Sequence, residues 1–278
     1  MIVNHSYLLN TALPTSKYLL TIITVAFNAE KSILNTLKSL DNLPFRERVK
    51  YLYIVIDGFS TDGTIKLTKD YIYRDDFDVI ILTESDLGIY DAMNKGLRIC
   101  SNYDTDWFMF LNSDDVFSES IAGVNDILTA LEFDVLAFSC EFTFVGRPSK
   151  IVVPSKHCSP TNPAVGLPFL HQSSIYSSKL LTFGDLFDTR FSIAADYSFM
   201  IRFYSELNIV YLPLVLTRFA DSGVSSKLSP LALKVNNFIV IWNSSLPIFQ
   251  KTYGILYQLS EGFIYSIYLV IKRIVALK

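Results

Sequence analysis

The sequence predicts an α/β fold built on a parallel sheet. Two observations carry this reading. Apolar, strand-like runs alternate with amphipathic helical segments through the first 131 residues, and several of the runs end in a short polar motif. Alternation of this kind implies βαβ units with right-handed crossovers. The motifs are TVAFN (Thr24 to Asn28), IDGFSTDGT (Ile56 to Thr64), ESDLGIYDAMNKG (Glu84 to Gly96) and FLNSDD (Phe110 to Asp115). In an open α/β sheet ligands bind just outside the carboxyl ends of the strands. One edge of this sheet therefore collects acids, amides, glycines and a lysine.

The first predicted strand is Leu19–Phe27, a continuous apolar run rich in Ile, Val and Thr, as a parallel strand buried on both faces requires. Asn28 can cap the helix that follows, in which Ile33, Leu34, Leu37 and Leu40 recur at helical spacing. Tyr51–Ile56 reads as a strand, Thr64–Tyr73 as a helix and Val79–Leu82 as a strand. The helix Ile89–Cys100 turns Ala92, Met93, Leu97 and Cys100 inward. Trp107–Leu111 is the next strand, and Ser118–Leu131 a helix with Ile121, Val124, Ile127 and Leu131 on one face. The pattern then changes. Val135–Phe144 and Ile151–Val153 read as strands with no helix between them, and residues 154–170, rich in Pro, Ser and Gly, as a loop. A short strand at Ser173–Tyr176, a helix at Ala195–Glu206 and a strand or strand pair at Ile209–Phe219 with a turn at Pro213 complete a mixed extension, followed by a loop over Ala220–Pro230.

From about residue 231 the chain is apolar with scattered tyrosines. Gly262–Ile271, ten residues without a charge, is too short to span a bilayer, which needs about 20 apolar residues. Phe263, Ile267, Ile271, Ile274 and Val275 share a helical face, and Lys272, Arg273 and Lys278 form a basic end. That combination suits an interfacial helix against anionic lipid; the competing reading is a terminal helix packed on its own core. Residues 251–278 hold four basic side chains against Glu261, a net +3, so the first 250 residues carry −6 of the whole chain's −3. An acidic body of this kind gives no footprint for a nucleic-acid partner. Three widely spaced cysteines, Cys100, Cys140 and Cys158, match neither a disulfide framework nor a zinc site and read as small buried hydrophobes in a reducing compartment. The first residues lack the basic and apolar regions of a secretory signal. The expectation is a cytoplasmic protein, peripherally associated with the cytoplasmic face of the plasma membrane.

Each motif has a chemical and a structural reading. Asn112, Asp114 and Asp115 follow a strand, and adjacent acids there are costly unless a cation offsets them. A hard divalent ion sharing its shell with substrate phosphates does so, while an Asn/Asp-rich turn with a helix cap is the alternative. Asp57 ends a buried strand, where it can accept hydrogen bonds from a base or a ribose, whereas Ser60, Asp62 and Gly63 serve the helix start. Asp91 and Lys95 sit four apart on a helix, so Lys95 either pairs with Asp91 or offsets phosphate. Asp196, in IAADY, is either a first-turn acid facing the helix dipole or a general base. His171 follows Phe169-Leu170, a setting typical of a hydrogen-bonded structural histidine.

In this order the motifs, with the later HQ and AADY elements, resemble glycosyltransferase family 2 over roughly residues 19–226. More narrowly they resemble the bacterial subgroup acting in exopolysaccharide, colanic-acid-like and O-antigen assembly. The resemblance implies a GT-A fold, a Rossmann-like sheet with helices on both faces, here with a C-terminal apolar helical tail. The implied divisions are an extension over 1–18, the transferase domain over 19–228 and a membrane-associating segment over 229–278. It implies a nucleotide-diphospho-sugar donor, with UDP as the default nucleotide, a divalent cation (Mg²⁺ or Mn²⁺), inversion at the anomeric carbon, and a lipid-linked glycan acceptor at the inner face of the plasma membrane. Carried over residue by residue, Asp57 contacts the nucleobase. Asn28, Asp86, Asp91, Asn94, Lys95 and Asn112 line the donor site, and Asp114 and Asp115 hold the metal. Asp196 is the base, and His171 and the Gly223-Val224-Ser225 loop lie near acceptor or phosphates. Two departures stand out. The commoner family string has two acids where this chain has Asp57-Gly58, and Asn112 replaces the first Asp of the D-x-D element. The second motivates a competing reading as a catalytically silent sugar-nucleotide or glycan-binding subunit. A nucleotidyltransferase is disfavoured, because TVAFNAEKS lacks the Gly- and Arg/Lys-rich grip for a triphosphate.

Overall fold

The computed structural model describes residues 7–10, 16–43, 50–72, 78–119, 121, 123–130, 132–144, 147–154, 162–166, 169–220 and 230–260. The elements are β1 (Tyr7–Asn10), β2 (Lys17–Ala26), α1 (Ile33–Ser39), β3 (Tyr51–Asp57), α2 (Thr64–Ile72), β4 (Asp78–Thr83), α3 (Ile89–Cys100), β5 (Asp104–Phe110), β6 (Asp115–Phe117), α4 (Val124–Ala130), β7 (Val135–Phe144), β8 (Arg147–Val152), β9 (Ser174–Ser177), α5 (Ala195–Phe203), β10 (Ile209–Ala220) and α6 (Pro230–Asn243). Residues 248–260 are helical as well. The strands form one mixed sheet in the order β1-β4-β3-β2-β5-β9-β7-β10-β6, with β8 paired to β7.

The parallel strands β4, β3, β2 and β5 are the expected βαβ units. Their order reverses at β2, since β3 and β4 build outward on one side and β5 on the other. The carboxyl ends of β2 and β5 therefore flank a topological switch point, the place where open α/β sheets bind ligands. Side-chain alternation sorts β3 to two faces. Leu52, Ile54 and Ile56 pack with α3 and α5, whereas Tyr51, Tyr53 and Val55 pack with α1 and α4. Helices cover both faces, which explains why these strands read as unbroken apolar runs. On one face α3 lies so close to β2 that a methyl on Gly96 would sit 2.5 Å from Ile23 Cγ2. Glycine there is a packing requirement despite its helical cost of about 1 kcal/mol.

A buried polar relay stiffens the edge that carries the motifs. Tyr53 Oη donates to Thr24 Oγ1 (2.9 Å), and Thr24 Oγ1 donates to the Leu111 carbonyl (2.6 Å), tying β3, β2 and the end of β5 together. Ladder bonds continue past β5, from Leu111 N to Ile23 O and from Ser113 N to Val25 O.

Three features differ from what the sequence predicts. Residues 7–10 pair antiparallel with β4, β6 begins within the FLNSDD turn and pairs with β10, and α4 begins only at Val124. Gly123, at φ +90°, holds a conformation that a right-handed helix cannot contain, so the expected helix from Ser118 is cut short. Near Pro213, β10 shifts register against β7 between Leu212 and Val215, as a residue without an N–H donor imposes. Among the described residues no helix is long and apolar enough to cross a membrane. The expected tail face from Phe263 to Val275, its basic end, Cys158 and the 223–225 loop lie outside the described residues.

Candidate active site

Two loops at the switch point brace each other. Asn28 ends β2 at φ +49°, a left-handed conformation that asparagine tolerates. Its Oδ1 accepts from Thr61 N (2.9 Å), and its own N–H donates to Ser60 Oγ (2.8 Å). Thr64 Oγ1 accepts from Ala29 N, and Glu30 Oε2 from Gly63 N. Asn28 thus shapes the switch-point edge with its side-chain carbonyl already engaged.

Asp57 pairs with Ala26 across the sheet at the carboxyl end of β3 and is buried. Its Oδ2 accepts from Ser60 N (3.0 Å), while its Oδ1 has no hydrogen-bond partner among the described residues. Burial pushes its pKa up, against the lowering effect of the Ser60 hydrogen bonds. A buried carboxylate with an idle oxygen is an acceptor waiting for a donor. The glycine beside it has a physical cause, because a Cβ on Gly58 would lie 2.5 Å from Asp86 Oδ2. Asp86, whose Oδ1 accepts from Gly88 N, fills the space that a second acid at position 58 would need.

Phe59 was not anticipated. It sits at φ +67° and is 42% exposed, and the Phe27 ring, in a residue 65% exposed, lies against the neighbouring Gly58. A bulky residue in the left-handed region costs about 1–2 kcal/mol, and strain of this kind clusters at functional sites. Phe59→Gly is expected to raise the melting temperature by a few degrees and to weaken donor binding several-fold in calorimetry. Unchanged donor affinity would reduce Phe59 to a strained surface residue.

The residues of α3 divide. Asp91 accepts from Leu87 N (2.9 Å), capping the turn before the helix. Lys95 Nζ lies 2.9 Å from Glu84 Oε1 and 3.5 Å from Asp91 Oδ2 and donates to the Ser85 carbonyl. Of the two roles left open for Lys95, the ion pair is the one present. Asn94 is buried and gives its amide to the Phe187 carbonyl (2.7 Å) while its oxygen accepts from Phe187 N (3.1 Å). Its side chain locks the 187 segment against α3.

At the end of β5, Asn112 is buried and its Oδ1 has no hydrogen-bond partner among the described residues. Asp115 is also buried. Burial and the Asp114 charge hold its carboxyl well above the usual range. Among the described residues no group of three or more His, Cys, Asp or Glu side chains is gathered to hold a metal by itself. The donor set instead fits a cation that takes an idle amide oxygen and one or two adjacent carboxylates and completes its shell with phosphate and water.

Asp196 opens α5 behind Ala194, which is held at φ +68°. Tyr90 Oη donates to its Oδ1 (3.1 Å), and His171 Nδ1 lies 3.3 Å from its Oδ2. His171 is buried between Phe110 and Phe187, and neither ring nitrogen has a well-formed hydrogen bond. Burial acts to raise the Asp196 pKa, but His171, the Tyr197 N–H and Tyr90 outweigh it, and the net shift is downward. Tyr90 is the second residue that the sequence did not single out. Its tyrosine type reads as helix packing, and only the fold brings it to a residue 106 positions away. Tyr90 on α3 and Phe110 beside His171 join Asp196 to the same sheet edge as Asp57 and Asn112.

Comparison with known proteins fits this geometry. The profile described as Glycosyl transferase family 2 matches residues 21–155. An uncharacterized glycosyltransferase of Mycobacterium tuberculosis H37Rv is 28% identical over 244 residues, 79% of this chain and 81% of that protein. A PGL/p-HBAD biosynthesis glycosyltransferase of the same organism is 25% identical over 197 residues, 66% and 71% of the two chains. Among solved structures, S. aureus TarS 1-349 in complex with UDP-GlcNAc superposes with TM-score 0.65 at 19% identity, over 89% of this chain and 73% of that one. The mannosyltransferase PcManGT from Pyrobaculum calidifontis, in complex with GDP-Man and Mn²⁺, gives 0.60 at 14% identity, over 95% and 82%. At these identities the structural likeness speaks to the fold, an α/β GT-A-like sheet with helices.

Proposed function

We propose, on the premise that this chain is a glycosyltransferase with a family 2 domain over residues 21–155, that it moves a sugar from a nucleotide-diphospho-sugar to a lipid-linked saccharide with inversion, in assembly of a bacterial surface polysaccharide. One observation carries the reading. Two buried oxygens without partners, Asp57 Oδ1 and Asn112 Oδ1, lie at the switch-point edge, and a carboxylate held ionised, Asp196, is linked to that edge through Tyr90 and His171.

Asp57 takes the N–H of the base, beside the exposed Phe59 and the Phe27 ring that lies against Gly58. UDP is the favoured nucleotide, supported by the UDP-GlcNAc bound to the TarS neighbour, with GDP, seen in PcManGT, as the competitor. Asp114, Asp115 and Asn112 would hold a divalent cation, which when bound offsets charge on the diphosphate. The acceptor hydroxyl gives its proton to Asp196 as its oxygen bonds to the anomeric carbon. The bond from that carbon to the diphosphate oxygen breaks on the opposite face, and the nucleoside diphosphate leaves with the electron pair. We place residues 19–228 as the transferase domain and 229–278 as a segment that rests on the cytoplasmic face of the plasma membrane.

The test is thermal-shift binding of UDP-, GDP- and dTDP-sugars with and without Mn²⁺. One donor at about 100 times its Kd is expected to stabilise the fold by about 2.7 kcal/mol by mass action. The Mn²⁺-dependent part of that gain should vanish in Asp114→Asn. Absence of any donor shift in a folded sample overturns the reading.

A further inference from the structure

The C-terminal helix pair rests on the body through a small apolar core and a set of hydrogen bonds, and turns a second apolar stripe outward. Its inward face is held by hydrogen bonds. Gln258 Nε2 donates to the Ala164 carbonyl (3.0 Å) and to Tyr197 Oη (3.1 Å), Lys234 Nζ donates to the Gln258 carbonyl, and Asn162 Nδ2 to the Gln250 carbonyl. Gly254 lies so close to Ala164 that no side chain fits between them. Val240 and Ile241 of α6 enter the small core with Ala194, Tyr197 and Ile201, and Leu246 and Ile255 pack against it. The outward face is apolar as well. Ile239 and Trp242 on α6, and Ile248, Phe249, Tyr253 and Leu256 on the next helix, point to solvent; Trp242 is 65% exposed, and Ile248 and Phe249 are 68% exposed. Water does not select this arrangement, because a soluble helix turns its apolar stripe inward.

Beside the turn joining the two helices, a pocket of about 210 Å³ opens between α5 and the end of α6, lined by Arg190, Arg202, Asn243, Ser244 and Ser245 among others. Arg190 is committed to Asp188, with Nε at 2.9 Å from Oδ1 and Nη2 at 2.6 Å from Oδ2. Arg202 lies over the Phe203 ring, 4.1 Å from its centroid, and its charge acts on Asp188, which also lines the pocket. Two guanidiniums against the one carboxylate of Asp188 leave the pocket net basic, and with serine hydroxyls and an amide nearby it suits a phosphate.

We propose that this face is a membrane-docking surface: the outer stripe and the 244–248 turn enter the headgroup–acyl boundary of a bilayer, and the adjoining pocket takes the phosphate of an anionic lipid. This deepens the membrane reading above by naming the surface and its ligand. Lipid is favoured over a protein partner because the stripe joins Trp and Tyr to aliphatic side chains with a basic pocket at its edge, the composition of a membrane interface. Arg202 is six residues from Asp196 on α5, about 9 Å along the axis, so docking brings the base close to the bilayer that carries a lipid-linked acceptor.

The experiment is co-sedimentation of the full-length chain with phosphatidylglycerol vesicles and with phosphatidylcholine vesicles. The triple variant Trp242→Ser, Ile248→Ser, Phe249→Ser should bind both at least about tenfold more weakly. Arg202→Gln should weaken binding to phosphatidylglycerol about fivefold and leave phosphatidylcholine binding unchanged. Ile151→Ser, at an exposed apolar residue on β8, is the control and should change nothing. Undiminished pelleting of the triple variant overturns the proposal. So does a concentration-dependent mass in light scattering that the triple variant abolishes, since the stripe would then join copies of the chain. Donor-induced thermal stabilisation should be the same in all four proteins, so its loss in the wild type would count against the transferase site and not against this surface.

Discussion

Asp196→Asn is expected to lower turnover by about 10²–10⁴-fold, the usual worth of a general base, with donor-induced stabilisation intact. The geometry sets both halves of that expectation. Asp196 shares its oxygens with Tyr90 Oη and His171 and makes no contact with Asp57 or Asn112, so its removal leaves the donor site whole. Burial opposes its ionisation, but His171, the Tyr197 N–H and Tyr90 hold its carboxyl below the ordinary range. The base is then charged throughout neutral pH, and its acid limb in kcat/KM falls below that of a free carboxylate. The same shift acts on the fold. A depressed pKa adds stability that is present above the unfolded value and is lost as pH falls through the folded one. The stability gap between wild type and Asp196→Asn should therefore be full at pH 7 and close in acid. His171→Gln should move the acid limb upward, because it removes the contact that favours the ionised form, while KM for the donor stays the same. Near-normal turnover in Asp196→Asn would remove Asp196 from the role.

The sheet was legible wherever burial on both faces left unbroken apolar runs, as in β2, β3 and β7, and α3 was legible to its end residues because Ala92, Met93, Leu97 and Cys100 mark one face. Elements fixed by pairing alone were not. β6 has three residues, begins at a charged one, and exists because Phe219, Arg218 and Thr217 of β10 receive it. Asp57, Asn112 and Asp196 stand out in their motifs, and the fold sets Asp57 and Asn112 at the carboxyl ends of β3 and β5 and links Asp196 to Tyr90 and His171. Asn94 and Lys95 show where motif reading stops. Sequence spacing places both on the first turns of α3, yet which groups meet them depends on Phe187 and Glu84, brought up by the tertiary fold. Tyr90 and Phe59 escaped for the converse reason. One is a partner across 106 residues, and the other has a significance that rests on a backbone angle. The outward apolar face of α6 carries no signal in composition, since the same residues would serve equally well in a core.

For Asp57→Asn we expect donor affinity to fall ten- to a hundredfold while the melting temperature stays level or rises. The two effects share a cause. The Asp57 carboxylate lies in a buried position where one oxygen has a partner and the other has none. Burial raises its pKa above the ordinary carboxylate value, with the Ser60 hydrogen bonds acting the other way and Asp62 adding to the rise. The folded state thus holds the proton more firmly than the unfolded chain does. By linkage, the stability associated with this group falls as pH rises from the unfolded to the folded pKa, and at neutral pH the charged form burdens the fold. Asparagine keeps an acceptor for the Ser60 N–H and removes the charge, so it relieves the burden. The same change turns a charged acceptor into a neutral one for the base, and a hydrogen bond to a charged group contributes about 1.5–3 kcal/mol. Both outcomes together would mark Asp57 as a group that serves a ligand at a cost to stability. Calorimetric titration with the donor identified by thermal shift, beside melting curves from pH 4 to 8, measures both. Should Asp57→Asn melt well below wild type at neutral pH, Asp57 would be a structural cap for the 58–62 turn and the nucleobase would be held elsewhere.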